Sequence, residues 1–328
     1  MQFKNILVTG GAGYVGAVLV PHLLEQGYQV TVLDLMIYGE DVLTPHPKLQ
    51  VVRGDIRDSG LLKKILPGHD SLIHLACISN DPSFELNPTL GKSINLDAFQ
   101  PLVEISRDSG IKRFIYASSS SVYGIKKERD VHEGMTVEPL TDYSQFKADC
   151  EQILLRYESP EFTVVTVRPA TVCGYSPRQR LDVVVNILTN LAYHRRMITV
   201  FGGDQLRPNI HIADIVEVYL LLLNAPQDLV SGKIYNAGFE NQSVQQLAHI
   251  VKDVIGDDVV LVTKPTDDNR SYHISSEKLR IELGFESGRT IENAVTDLRN
   301  AFDAGSLPNS LEDEKYFNIK RMQAIDLK

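Results

Sequence analysis

The sequence predicts an α/β protein, a doubly wound parallel sheet with a smaller C-terminal α/β lobe, and three observations carry that expectation. Short apolar runs alternate with segments of helical periodicity through the first half of the chain. The connections between successive runs are long enough for parallel crossovers. The first run ends at a cluster of glycines, as a strand does when it turns sharply into a helix.

Residues 3–9 (FKNILVT) form the first strand, and apolar positions at helical spacing follow over 14–26. Strands are expected at 28–34, 49–53 and 71–76, with helices around 59–66 and 92–109. A strand at 112–118, a helix near 143–157 and a strand at 162–168 complete six or seven parallel strands with right-handed connections. After Pro169 the rhythm loosens into a helix near 181–195, a short strand at 198–202, a helix near 211–224 and the run KIYNAG at 233–238. From 239 onward, SVQQLAHIVKDVIG, a strand at 259–263 and an amphipathic helix near 290–303 read as a smaller lobe. The expected organisation is a large domain over 1–175, completed by parts of 205–238. Residues 176–204 and 239–310 then form the lobe, and 311–328 a polar tail that packs over the body or between subunits and carries no chemistry of its own.

The chain has 328 residues, 43% hydrophobic and 23% charged, which suits a globular protein with a substantial core. Its formal charge of −9 argues against nucleic acid or an anionic membrane as the main partner, because phosphate surfaces demand basic ones. Cys77, Cys150 and Cys173 show no metal-ligand spacing, so no metal is expected. Three cysteines in a long chain fit a reducing compartment, and a cytoplasmic location follows. No apolar run approaches the roughly 18 residues of a membrane span, and Met1 leads straight into a strand pattern rather than a signal peptide.

Gly10, Gly13 and Gly16 in VTGGAGYVG, with Tyr14 and Val15 between them, stand where the first strand turns into a helix. Without side chains there, backbone N–H groups and the helix N-terminus are free to meet a pyrophosphate. A plain tight turn is the bland alternative. Asp34 ends the second strand about 20 residues on, where a carboxylate accepts both ribose hydroxyls and repels a 2′-phosphate. No arginine follows it in LMIYGED, so NAD is expected rather than NADP.

Tyr143 and Lys147 in TDYSQFKADCE emerge from one helix face, and an ammonium near a phenol favours the phenolate. By spacing alone they are equally a surface pair. The serines of YASSSSVYG close a strand, which puts hydroxyls at the carboxyl edge of the sheet, where such folds bind ligands.

Taken together, TGGAGYVG, GDIRD at 54–58, HLA at 74–76, Asn95, SSSSVYG, YSQFK, RPATVCG and FGGDQLRPNIHIAD resemble the extended short-chain dehydrogenase/reductase family. That group contains nucleotide-sugar epimerases and dehydratases built on a Rossmann domain, and the resemblance covers nearly all of residues 3–304. It implies that Asp55 and Ile56 flank the adenine, that Leu75, Ala76 and Cys77 line the cofactor, and that Asn95 braces the sheet edge. It also implies Ser119, Tyr143 and Lys147 as catalytic residues, with Lys147 bonding the nicotinamide ribose and Ser118, Ser120 and Ser121 in support. Substrate contacts are expected from Ser79, Ser120, Ser121, Thr171, Cys173, Arg207 and Arg270, the two arginines reaching the nucleotide diphosphate. A homodimer through a four-helix interface that includes the Tyr143 helix is implied as well.

Departures from the family sharpen the expectation. Dehydratases and decarboxylases of this kind carry an acidic residue where Ser120 or Ser121 stands, so dehydration is disfavoured. Related 3,5-epimerases carry a cysteine at the position of Ser121. Cys173 replaces the usual tyrosine and reads as a surrogate acid/base or as a packing residue. Arg207-Pro208-Asn209 replaces Arg-Asp-Tyr or Arg-Asp-Phe, which weakens inference about the base, and an ion pair is the alternative role of either arginine. Arg178 and Arg180 read as a solvated loop with phosphate contact as the alternative, and His211 as a helix-start residue. The expected activity is NAD-dependent epimerisation of a nucleotide-diphosphate sugar. A 4-ketosugar reductase or nucleotide-sugar dehydrogenase is the first alternative, and a non-catalytic NAD and nucleotide-sugar-binding regulator the second.

Overall fold

The computed structural model of the chain describes residues 3–128, 130–266, 271 and 273–328. Its strands are β1 (Asn5–Thr9), β2 (Gln29–Asp34), β3 (Leu49–Arg53), β4 (Ser71–His74), β5 (Arg113–Ala117) and β6 (Thr163–Pro169). There follow β7 (Thr171–Cys173), β8 (Met197–Phe201), β9 (Leu206–His211), β10 (Lys233–Ala237), β11 (Glu240–Ser243) and β12 (Val260–Lys264). Seven of them form one sheet in the order β10-β6-β5-β4-β1-β2-β3, and every pairing in it is parallel. KIYNAG supplies the edge strand β10 beside β6.

The apolar runs are explained by burial on both faces. Ile6 and Val8 of β1 pack into one apolar cluster and Leu7 into the cluster on the opposite face, as the two-residue period of a strand requires. The lobe has its own cluster, where Val185 and Leu188 meet Ile198, Leu247 and Val295. In the lobe β12 pairs with β8, while β9 lies between β11 and β7.

The order of strands reverses between β1 and β4, because β2 follows β1 on one side and β4 lies on the other. A crevice opens outside the carboxyl ends of strands at such a point. Thr9 and His74 lock those two ends together, with Thr9 Oγ1 2.7 Å from His74 Nδ1. Gly10 follows at φ +73°, and a Cβ there would lie 2.6 Å from the backbone nitrogen of Ala76. Only glycine lets the turn pass this close to the loop after β4.

The sequence reading misses β7, β9 and β11, the short helices Asp81–Leu86, Pro88–Lys92 and Glu277–Leu283, and the tail helix Asn318–Ala324. Pro208 and the polar residues around it disguise β9 as a loop. The helix expected at 181–195 begins at Val184, because Leu181 N is bonded to Tyr316 O (2.9 Å) and Asp182 to Arg180. Among the described residues, no helix is long and apolar enough to cross a membrane, and no cluster of His, Cys, Asp or Glu is arranged to hold a metal.

Candidate active site

The glycine turn opens the crevice. Gly10 N donates to Leu33 O at 2.9 Å and Gly13 N to Gly10 O at 3.1 Å, so the turn is closed on itself before the helix Gly16–Glu25 begins. A Cβ on Gly16 would meet Gly11 O at 2.5 Å. Gly10, Gly13, Tyr14, Val15 and Gly16 all line the crevice. At the end of β2, Asp34 accepts Ala12 N at 3.0 Å and Met36 N at 2.8 Å. Burial raises its pKa above the ordinary carboxylate value despite those bonds.

Asp55 and Ile56 wall the next stretch. Burial works against ionisation of Asp55, but its hydrogen bonds with Arg57 win and hold its pKa low. Leu75, Ala76 and Cys77 line the crevice from the loop after β4. Asn95 does not line it. Its side chain takes Ile78 N at 2.8 Å and gives to Ile78 O at 2.9 Å, so it acts on the wall by fixing that loop.

The helix Asp142–Leu155 faces the same space. A capping box between Thr141 and Ser144 starts it, which fixes the turn that carries Tyr143. Lys147 Nζ donates to Ala117 O at 2.6 Å and stands 5.9 Å from the centroid of the Tyr143 ring. Ser119 ends the strand loop, and its Oγ accepts Ser121 N at 3.1 Å and lies 2.8 Å from Ser121 Oγ. Ser119, Tyr143 and Lys147 therefore share one cavity with the glycine turn. Burial pushes the Tyr143 phenol well up, Cys77 and Asp81 add to this, and Arg180 opposes it.

Ser79, Ser120, Ser121 and Thr171 also line the cavity. One expectation is corrected. Cys173 is fully buried in the apolar cluster of the lobe, its thiol directed at Ile210 O and its pKa pushed up by burial, so it is a packing residue. Arg207 stands on β9 with Nη1 on Leu206 O at 3.0 Å and is not among the residues lining this cavity. Arg270 lies outside the described residues. Sequence reasoning also misplaced Arg178 and Arg180, which are buried wall residues rather than a solvated loop, and it overlooked Asp81 and Asn318 on the same wall. Two arginines flanking a glutamine just beyond the end of a strand were the available signal.

A profile of the NAD dependent epimerase/dehydratase family matches residues 6–238. The chain belongs to that family. It is thus an NAD-dependent enzyme, and the bare glycine turn and the Asp34 carboxylate fit the cofactor. The UDP-glucose 4-epimerase of Lactobacillus helveticus is 26% identical over 86% of this chain and 92% of that protein. The dTDP-D-glucose 4,6-dehydratase of Mus musculus is 29% identical over 86% of this chain and 84% of its own. The structure of the Thermotoga maritima UDP-glucose 4-epimerase with UDP-glucose superposes with a TM-score of 0.82 at 25% identity, covering 94% of this chain and all of that one.

Proposed function

We propose that this family member epimerises a nucleotide-diphosphate sugar through a transient keto sugar. One observation carries the reading: Tyr143, Lys147 and Ser119 stand on the wall shared with the glycine turn, while the serine loop beside them offers hydroxyls and no carboxylate. Asp81, the lining acid that acts on the Tyr143 phenol, accepts the Thr141 hydroxyl at 2.5 Å.

Tyr143 takes the proton of a sugar hydroxyl, and Ser119 donates a hydrogen bond to the same oxygen. Lys147 contributes positive charge beside the phenolate that does this, and its ammonium is held in place by Ala117 O. NAD held by the glycine turn and Asp34 would supply reversible hydride transfer at the sugar carbon, with no net change of redox state over a cycle. The keto sugar has lost its configuration at that carbon, and turning it before reduction inverts the centre. The lobe carries the nucleotide end of the substrate.

Purified protein incubated with UDP-, GDP-, CDP- and dTDP-sugars and followed by NMR tests this. Inversion of one sugar carbon without net change at 340 nm is expected. Absence of inversion in all four would overturn it, a sustained 340 nm change would indicate a reductase or dehydrogenase, and loss of water a dehydratase. A homodimer belongs to the same reading. The groove between the helices Phe99–Asp108 and Asp142–Leu155, lined by Leu96, Pro101 and Ile153, supports it, and sedimentation equilibrium tests it. The free state of all three cysteines supports a cytoplasmic location, which fractionation of cells tests.

A further inference from the structure

Arg178 and Arg180 are buried against the cofactor crevice and are incompletely satisfied by the protein. Arg178 is 5% exposed and Arg180 9%, and both line the crevice. Arg178 gives Nη2 to the Asn318 side-chain oxygen at 2.6 Å and lies 3.4 Å from the centroid of the Tyr38 ring. Its Nε has no hydrogen-bond partner among the described residues. Arg180 gives Nε to Asp182 at 2.5 Å and Nη1 to Ser79 Oγ at 3.0 Å, and its Nη2 is likewise without a partner among them. Buried charged donors left open are costly, so a chain that keeps two of them in one cleft has an anion to complete them.

The place of the pair in the crevice says which anion. Arg178 stands on Tyr38, in the loop that follows Asp34, the carboxylate that would take the adenosine ribose. Arg180 stands at Ser79, on the side of Tyr143 and the reacting carbon. Midway between those ends a dinucleotide has its diphosphate. The loop that carries the arginines is also bonded to the glycine turn: Tyr14 donates its hydroxyl to Gly174 O at 2.7 Å, and Ser176 Oγ donates to Tyr14 O at 2.8 Å.

We propose that Arg178 and Arg180 form a second diphosphate-binding element, which faces the glycine turn across the crevice and takes the phosphate oxygens of NAD with its free N–H groups. Guanidinium forks suit phosphate oxygens, and they meet the cofactor from the side the backbone amides leave open. The C-terminal tail sets their position. Asn318 accepts the Tyr38 hydroxyl at 2.8 Å as well as Arg178, gives Nδ2 to Ser79 Oγ at 3.1 Å, and donates its backbone N–H to Asp182 at 2.8 Å. This inference rests on the cofactor assignment of the crevice and is independent of which sugar reaction follows.

Isothermal titration of nucleotide-stripped full-length protein with NAD, ADP and adenosine, and with UDP at saturating NAD, tests it. Arg178→Gln and Arg180→Gln are each expected to weaken NAD and ADP by about 10- to 100-fold while adenosine and UDP stay within about twofold. Arg178→Lys recovers part of the loss. Equal losses for adenosine and ADP would overturn the proposal, because the side chain would then only prop the adenosine wall. Weakened UDP with unchanged NAD would also overturn it and give the pair to the sugar nucleotide. Thermal unfolding of the ligand-free variants reports folding. If the glutamine variants do not fold, Asn318→Ala, which releases Arg178 with its charge intact, is expected to weaken NAD and ADP about threefold to tenfold with adenosine unchanged, and unaltered NAD affinity there would overturn the proposal. Failure of every sugar to invert leaves these affinities as they are, so the two readings fail separately.

Discussion

Glu151 holds the guanidinium of Arg168 at both ends, with Oε1 3.0 Å from Nε and Oε2 2.6 Å from Nη2, and each residue is only 3% exposed. Glu151 sits one turn beyond Lys147 and also accepts the Ser118 hydroxyl at 2.5 Å, while Arg168 reaches the Tyr123 hydroxyl at 2.8 Å. The pair therefore ties the helix that carries Tyr143 to both ends of the serine loop.

Glu151→Gln leaves a buried guanidinium uncompensated, and a loss of about 3–5 kcal/mol in unfolding free energy is expected. Urea denaturation measures it. A change under about 1 kcal/mol would mean that the pair is not the brace of this loop.

Tyr143→Phe is expected to lower kcat by about 10²- to 10⁴-fold with NAD affinity and thermal stability nearly unchanged. Burial holds the Tyr143 phenol above its ordinary pKa, so the base form gains population as pH rises and kcat should climb with pH. A pH profile of Lys147→Met shifted to still higher pH is the second half of this prediction. A profile that does not move would remove Lys147 from the tuning of Tyr143.

Asp34 raises a different pH question. Its carboxyl is held above the ordinary carboxylate value by burial, and only the ionised form accepts both ribose hydroxyls. NAD affinity is expected to fall as pH drops through that raised value, and Asp34→Asn should abolish the dependence. The same variant should narrow the NAD over NADP preference by about tenfold or more, read from dissociation constants for the two cofactors.

His74 is buried among aromatic rings and pushed down to about 3 by burial, with Lys147 adding to the shift. The unfolded chain takes up a proton near 6.5 and the folded one does not until near 3. Stability from this residue is therefore full above 6.5 and is lost as pH falls below it, at up to about 1.4 kcal/mol per pH unit. His74→Gln should flatten urea-derived stability between pH 6.5 and about 4.5, and an unchanged slope would acquit His74 as an acid sensor.

The strands of the large sheet were legible because burial on both faces writes continuous apolar runs, as in ILVT of β1 and FIYA of β5. The glycine turn, Asp34 and Tyr143 were legible because each sits next to an element boundary that the sequence announces, and Lys147 because it follows Tyr143 by four residues on the same helix. Asn318 was not legible. It meets Tyr38 across 280 residues of chain, and no local pattern encodes a partner that far away. Arg178 and Arg180 look like solvent-facing charges until the tail and the lobe are folded around them. Cys173 misled for the opposite reason, since proximity to RPATVCG in sequence said nothing of which face of β7 its thiol would take.

Met322 and Leu327 help to wall the crevice, and they lie within the final few residues of the chain. Segments more than 300 residues apart in sequence therefore close one chamber, and the glycine turn has its facing wall only once the distant helix has docked. Removing the segment that carries Met322 and Leu327 would open that wall, so this stretch is itself a determinant of cofactor handling.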